Sequence, residues 1–214
     1  MDTLALYLPH ILSGLWVAVS LTGLGFAGAM VLGTVIAVCR VSPITPLRAF
    51  GTVYVEVLRN IPLLCLLILF TFGLPDIGIV FDLYSTAAIC LAIFNAAFVC
   101  EAIRTGINTV PVGQAEASRA LGLRFAQSIR RVILPQAFGA MVQPLVNVFI
   151  GVLLGSSLAS AIGVMDLLGV AQKINLVEAW GIGLYAGAAA VYSSIALGAG
   201  ALGGFVERRV AILR

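Results

Sequence analysis

"GQAEASRALGLRFAQSIRRVILPQ", residues 113–136, is the polar interval in a chain that is otherwise almost wholly apolar. Within its 24 residues sit one Glu, four Arg, three Gln and two Ser. Val112 to Leu121 reads as a short helix, with Ala117, Ala120 and Leu121 on one face. Glu116 and Arg119 stand i,i+3 apart, where opposite charges attract. Gly122 follows where a helix takes a left-handed C-terminal residue. Leu123 to about Ile133 predicts a second short helix, with Phe125, Ile129, Val132 and Ile133 at helical spacing. Pro135 suits the first turn of a helix and is expected to open the next one.

The sequence on either side belongs to lipid. Of the 214 residues 61% are hydrophobic and 10% charged, whereas a soluble domain carries about a quarter charged residues. Mean hydropathy is +1.13. The class is all-α integral membrane protein. "MDTLALYLPH" at the start has no Lys or Arg before its apolar run, so it does not read as a cleavable signal and is expected to stay with the mature chain. Cys39, Cys65, Cys90 and Cys100 lack CxxC spacing and His10 has no companion, so the cysteines read as small apolar fillers and no metal is expected.

Charge-free runs place the spans. Ile11 to Cys39 runs 29 residues without charge, longer as a helix than a hydrocarbon core of about 30 Å, so it tilts or projects. Ala49 to Leu74 reads as a second span interrupted near its start by Glu56, Arg59 and Pro62, and Leu83 to Cys100 as a third. Val132 to Met165 is uncharged for 34 residues, too long for one crossing. The fourth span is therefore expected near Pro135–Leu154, with a break at Gly155-Ser156-Ser157 and a folded-back segment to about Ile174. A last span occupies Ala179 to Val206, making five transmembrane helices in all.

Five spans put the termini on opposite sides. With the N-terminus outside and the C-terminus in the cytoplasm, eleven of the twelve Lys and Arg fall inside: Arg40, Arg48, Arg59, Arg104, Arg119, Arg124, Arg130, Arg131, Arg208, Arg209 and Arg214. Lys173 falls outside, with Asp2, Asp76, Asp82, Asp166 and Glu178. This is the positive-inside pattern, and it turns the polar interval toward the cytoplasm. Gly151-x-x-x-Gly155 and Gly200-x-x-x-Gly204 offer weak signals for close helix contact.

On composition alone the interval has two readings. Its small residues, Ala115, Ala117, Ser118 and Ala120, form a surface able to enter a groove of another protein. Its basic residues equally suit an amphipathic connector lying on headgroups. A DNA-reading helix-turn-helix is disfavoured, because spans on both sides hold the segment down, and no nucleic-acid partner is expected.

Glu116-Ala117-Ser118, then Arg119 and, past it, Gly122, then Val132-Ile133-Leu134-Pro135 resembles the EAA loop of ABC importer permeases. That pattern is Glu-Ala-Ala-x-x-x-Gly followed by Ile-x-Leu-Pro; Ser118 and Val132 are mild departures. "GLWVAVSLT" at 14–22, "RNIPLL" at 59–64, "EAIRTGINTV" at 101–110, "GQAEASRALGL" at 113–123 and "LPQAF" at 134–138 are similar to polar amino-acid permeases. "RVSPI" at 40–44 and "INTVPVGQAEA" at 107–117 look closest to glutamate-type permeases of high-GC Gram-positive bacteria.

The resemblance implies the type I importer transmembrane fold in a single permease domain over 1–214, its loop at about 111–135. It implies a bacterial cell membrane, an ABC ATPase dimer beneath, a second permease subunit, and an extracellular binding protein delivering a polar amino acid. The first short helix would be the coupling helix seated in the ATPase, carrying Glu116, Ala117, Ser118, Arg119 and Gly122, with Leu134 and Pro135 closing the motif. The chain has no phosphate loop, and its one lysine, Lys173, lies outside any such pattern. No cofactor is therefore expected here; ATP and Mg would sit on the partner.

Intramembrane polar residues are candidates for the substrate path: Asn95, Gln143, Asn147, Ser156 and Ser157. Interhelical hydrogen bonds worth about 0.6 kcal/mol are the ordinary alternative. Glu56/Arg59 and Glu101/Arg104 read as self-neutralising Glu-x-x-Arg pairs or bridges to the loop, not as catalytic groups. Related permeases often read Lys-Asp/Asn-Thr-Ser-Leu where this chain has Leu154-Gly155-Ser156-Ser157-Leu158, which suggests a non-identical partner permease supplying most substrate contacts. The competing functions are a stand-alone secondary transporter or channel, against which stand the missing repeat and the lack of a mid-membrane acid, and a structural scaffold.

Overall fold

The computed structural model describes residues 2–210. Arg214, counted above among the inside cations, lies outside them. Every regular element is helical, and no strand occurs among the described residues. The elements are α1 (Asp2–Val41), α2 (Thr45–Asn60), α3 (Leu63–Ile68), α4 (Leu74–Asp76), α5 (Leu83–Asn108), α6 (Val112–Ala120), α7 (Phe125–Ser128), α8 (Leu134–Ser156), α9 (Leu167–Glu178) and α10 (Ile182–Val210).

Among the described residues, four helical runs are long and apolar enough to cross a membrane: Leu6–Val41, Leu83–Asn108, Ala126–Ile162 and Ile182–Arg209. The fifth expected span is not straight. Thr45–Asn60 and Leu63–Asp76 meet at a bend of 103°. Ile61 is extended there (φ −104°, ψ 146°), as a residue before proline prefers, because the Pro62 ring crowds an α-helical predecessor.

Two expected breaks are smoother than the sequence suggests. Pro135 does not open a separate helix: a π turn over Ile129–Ile133 joins α7 to α8, and the Leu134 N–H reaches back five residues to the Ile129 carbonyl. The wider turn accommodates a ring that would crowd the preceding carbonyls of a regular α-helix. At Ser157 the chain tightens into a 3₁₀ turn, Ser157–Ile162, and reverses only at Gly163, where φ is +97°. α9 is the folded-back segment, and α10 starts at Ile182, after a loop in which Ala179 and Gly181 both take positive φ.

α5 is the central helix. Its Cys90, Leu91, Val99 and Cys100 are fully buried, in company with Leu21 of α1, Val55 of α2, Leu67 of α3 and Val152 of α8. Close approach of α1 depends on Gly33: a Cβ there would stand 2.6 Å from the Val99 Cβ and 2.7 Å from the Ala96 carbonyl oxygen. Small residues let helices meet in lipid, where dispersion rather than water exclusion holds them together. Neither GxxxG match forms such a seam as a pair. Gly151 and Gly204 face open space, while Gly203 packs on Val146 and Gly155 on Leu63.

Asp166, counted above with the outside acids, is fully buried. It caps α9 by accepting from the Gly169 N–H at 2.9 Å, and its other oxygen accepts from the Tyr192 hydroxyl at 2.7 Å. The folded-back segment is thereby tied to α10. Tyr7 donates to Glu178 at 2.7 Å and meets Trp180 edge to face, anchoring the start of α1 to the same corner.

Candidate functional site

The polar interval hangs between the C-terminal end of α5 and the start of α8. Thr109 closes α5, its hydroxyl donating to the Gly106 carbonyl at 2.7 Å, and Pro111 turns the chain into α6 with the Gln114 N–H on its own carbonyl at 2.9 Å. The far end of α6 is capped as the sequence predicts. Gly122 has φ +76°; its N–H donates to Arg119 at 2.9 Å and the Leu123 N–H to Ser118 at 3.1 Å. This Schellman arrangement satisfies carbonyls a helix end leaves open, and the Cβ-free residue enters the left-handed region without strain.

The faces of α6 separate motif residues by role. Ser118 is buried and its hydroxyl donates to Ala115 at 2.9 Å, so it belongs to the internal face rather than to the small-residue surface expected above. Glu116, Ala117, Arg119 and Ala120 are exposed. So are Val112 (71%) and Leu121 (81%). The expected Glu116–Arg119 pair does not form; the Arg119 Nε donates to the Ala115 carbonyl at 3.3 Å. Leu134 and Pro135 are also exposed, at the start of α8.

Between this loop, α8 and the end of α10 lies a cavity of about 1380 Å³. Gln114, Arg131, Gln136, Gln143, Glu207 and Arg208 supply its polar lining. The Gln143 Oε1 is buried with no hydrogen-bond partner, an arrangement that costs free energy until a donor arrives. Asn147, one turn further along α8, is exposed.

The other path candidates lie elsewhere. Asn95 is buried and donates to Leu91 at 2.9 Å. Ser156 is fully buried, donates to Leu153 at 2.7 Å, and sits against the Tyr192 hydroxyl that Asp166 holds. Ser157 is half-buried and donates to Leu154 at 2.7 Å. The five candidates thus do not share one surface; of them only Gln143 lines the cavity.

The two Glu-x-x-Arg pairs resolve differently from one another. Arg104 holds Glu101 at 3.1 Å as spaced, but Arg59 leans to Glu101 at 3.9 Å instead of to Glu56. Arg40, at the end of α1, pairs with Glu101 and lies 3.9 Å from Glu56. Tertiary packing overrides the local spacing, because α2 packs on α5 and lays Arg59 over Phe98, within reach of Glu101. Sequence reasoning missed Arg40 as the third member. Its place as the first charge after a long apolar run was the available signal.

Residues 29–212 match the family described as binding-protein-dependent transport system inner membrane component, and this chain belongs to that family. It is a multi-pass membrane permease. Among relatives it is 40% identical over 152 residues to the probable glutamine ABC transporter permease protein GlnM of Bacillus subtilis, covering 71% of this chain and 70% of that one. It is 38% identical over 168 residues to the glutamate transport system permease protein GluC of Corynebacterium efficiens, covering 73% and 74%. Among solved structures, an amino acid ABC transporter crystallised with histidines superposes with a TM-score of 0.92 at 36% identity over 97% of both chains. The inward-facing MetNI methionine ABC transporter, at 20% identity and a TM-score of 0.79, shares the fold, which is that of type I importer permeases.

Proposed function

We propose that this chain forms one half of the translocation path of an ATP-driven importer for a polar amino acid, glutamate or a close analogue. The observation that carries this reading is α6: a capped helix bearing the motif residues Glu116, Ala117 and Arg119 on an open face, braced on both sides by membrane helices. In this reading α6 seats in an ABC ATPase dimer. Because α6 packs on α7 and on the π turn, and α7 runs on into α8, a displacement of α6 is passed to α8 as a lever passes it. α5 must follow, since Gly106 packs so tightly that a Cβ there would stand 2.2 Å from the Met141 Cγ.

ATP and Mg belong to the partner, and an extracellular binding protein delivers the substrate. The loop faces the cytoplasm and the N-terminus the exterior, as the distribution of arginine favours. Gln143, which lines the large cavity, is the path residue this conformation supports best, with Asn147 exposed one turn further along α8; the cavity would be the exit side. Asn95, Ser156 and Ser157 act in helix packing. Leu154 and Gly155, apolar where related permeases are polar, favour pairing with a non-identical permease. The stand-alone carrier is set aside by membership of a binding-protein-dependent family.

The test is reconstitution with the neighbouring ATPase and binding protein. Glu116→Lys and Gly122→Pro should leave the protein in the membrane while uncoupling ATP hydrolysis from uptake. Undiminished uptake in both would refute the coupling role. A purified complex holding this chain twice and no other permease would refute the heteromeric pairing.

A further inference from the structure

The ionic cluster on Glu101 is not electrically closed. It gathers three guanidiniums, Arg40, Arg59 and Arg104, around one carboxylate, with Glu56 touching only at its edge, 3.9 Å from Arg40, its side chain 63% exposed. Arg59 stands 3.9 Å from Glu101, too far for a hydrogen bond. The Arg104 Nε is buried with no acceptor. Both guanidiniums reach toward the same Glu101 oxygen, and both side chains remain partly open, at 44% and 42%. Such a pair presents a fork of charged N–H donors to a single oxyanion.

The cluster stands near the ends of three helices: Arg40 is next to last in α1, Arg59 next to last in α2, and Arg104 in the last turns of α5. Arginine at the end of a membrane helix reaches the headgroup layer. α2 also shows Phe50, Val53 and Val57 on an open apolar flank, the kind of surface that acyl chains cover. Arg59 itself lies over the Phe98 ring, 5.7 Å from its centre. We propose that Arg59 and Arg104 bind the phosphate of an anionic phospholipid, which completes the charge balance around Glu101 and fixes the α2–α3 bend.

The full-length chain, purified with its partner subunits, is stripped with zwitterionic detergent and titrated with phosphatidylglycerol or phosphatidylcholine under native mass spectrometry. Retention of a single phosphatidylglycerol per chain is expected, favoured over phosphatidylcholine by about tenfold or more. Arg59→Gln with Arg104→Gln should abolish that preference, whereas Arg48→Gln, at an exposed arginine that pairs with neither Glu56 nor Glu101, should keep it. Equal retention of the two lipids would overturn the proposal, as would a preference unchanged by the double variant. Release of the lipid by millimolar inorganic phosphate would reassign the arginines to free phosphate and also overturn it. Should the double variant fail to fold, Arg59→Gln alone decides: the preference should fall severalfold, and an unchanged preference would overturn the proposal.

Discussion

Gly122 is the residue at which this loop is most sensitive, since its φ of +76° is open to glycine and strained for anything with a Cβ. Gly122→Ala should cost about 1–2 kcal/mol at that turn. Uptake by reconstituted vesicles should fall while the amount of permease in the membrane holds. A second sensitive residue is Asp166, which lies between membrane-spanning helices. Burial raises its carboxyl above the ordinary value of 3.8, against the lowering effect of its bonds to Gly169 and Tyr192. The folded chain therefore keeps this proton to higher pH than the unfolded chain does. The stability it contributes is complete below about 3.8 and is lost as pH rises through the folded value. Thermal melting of the purified protein should show that decline, and Asp166→Asn should flatten it. Tyr192→Phe leaves one buried Asp166 oxygen without its donor, a loss of about 1–3 kcal/mol, visible as a lower melting temperature at neutral pH.

At the scale of the element, the π turn before Pro135 is a joint whose shape follows from one ring. Pro135→Ala would permit a regular α-helix there, removing the extra residue and rotating α7 by about 100° relative to α8. Amide exchange over residues 129–136 should slow, and transport should drop with ATP hydrolysis retained. Gly33→Leu should push α1 away from α5, and the expected result is loss of the folded protein from detergent extracts. Helices announced by long charge-free runs, and the cap at Gly122, were legible in the sequence. The interruption at Glu56, Arg59 and Pro62 was legible in the sequence, but the angle of the bend was not, because a proline after a polar helix end fixes its predecessor's extended backbone and not the direction of the next helix. Arg59 looked like the local partner of Glu56, and nothing in a linear pattern shows that the packing of α2 on α5 brings it to Glu101 instead. Asn95 and Ser156 were legible as polar groups in apolar helices, but which way each points is decided by neighbours far away in sequence.

For the whole molecule, central α5 ties the parts together: it touches α1, α2, α3 and α8, carries Glu101, and leads into α6. The cavity beside the loop is the place where altered packing should be felt in transport. Gln143→Leu and Asn147→Leu should raise the apparent KM for the amino acid more than they lower ATP hydrolysis, measured by competition uptake. A change in ATP hydrolysis alone would move these two residues out of the path.

Val112 and Leu121 stand almost bare at the two ends of α6. Under the coupling role proposed above, a copy made in excess of its companions would leave these apolar tips uncovered, and its lifetime in the cell, followed by pulse-chase, should lengthen with the supply of the subunit that covers them.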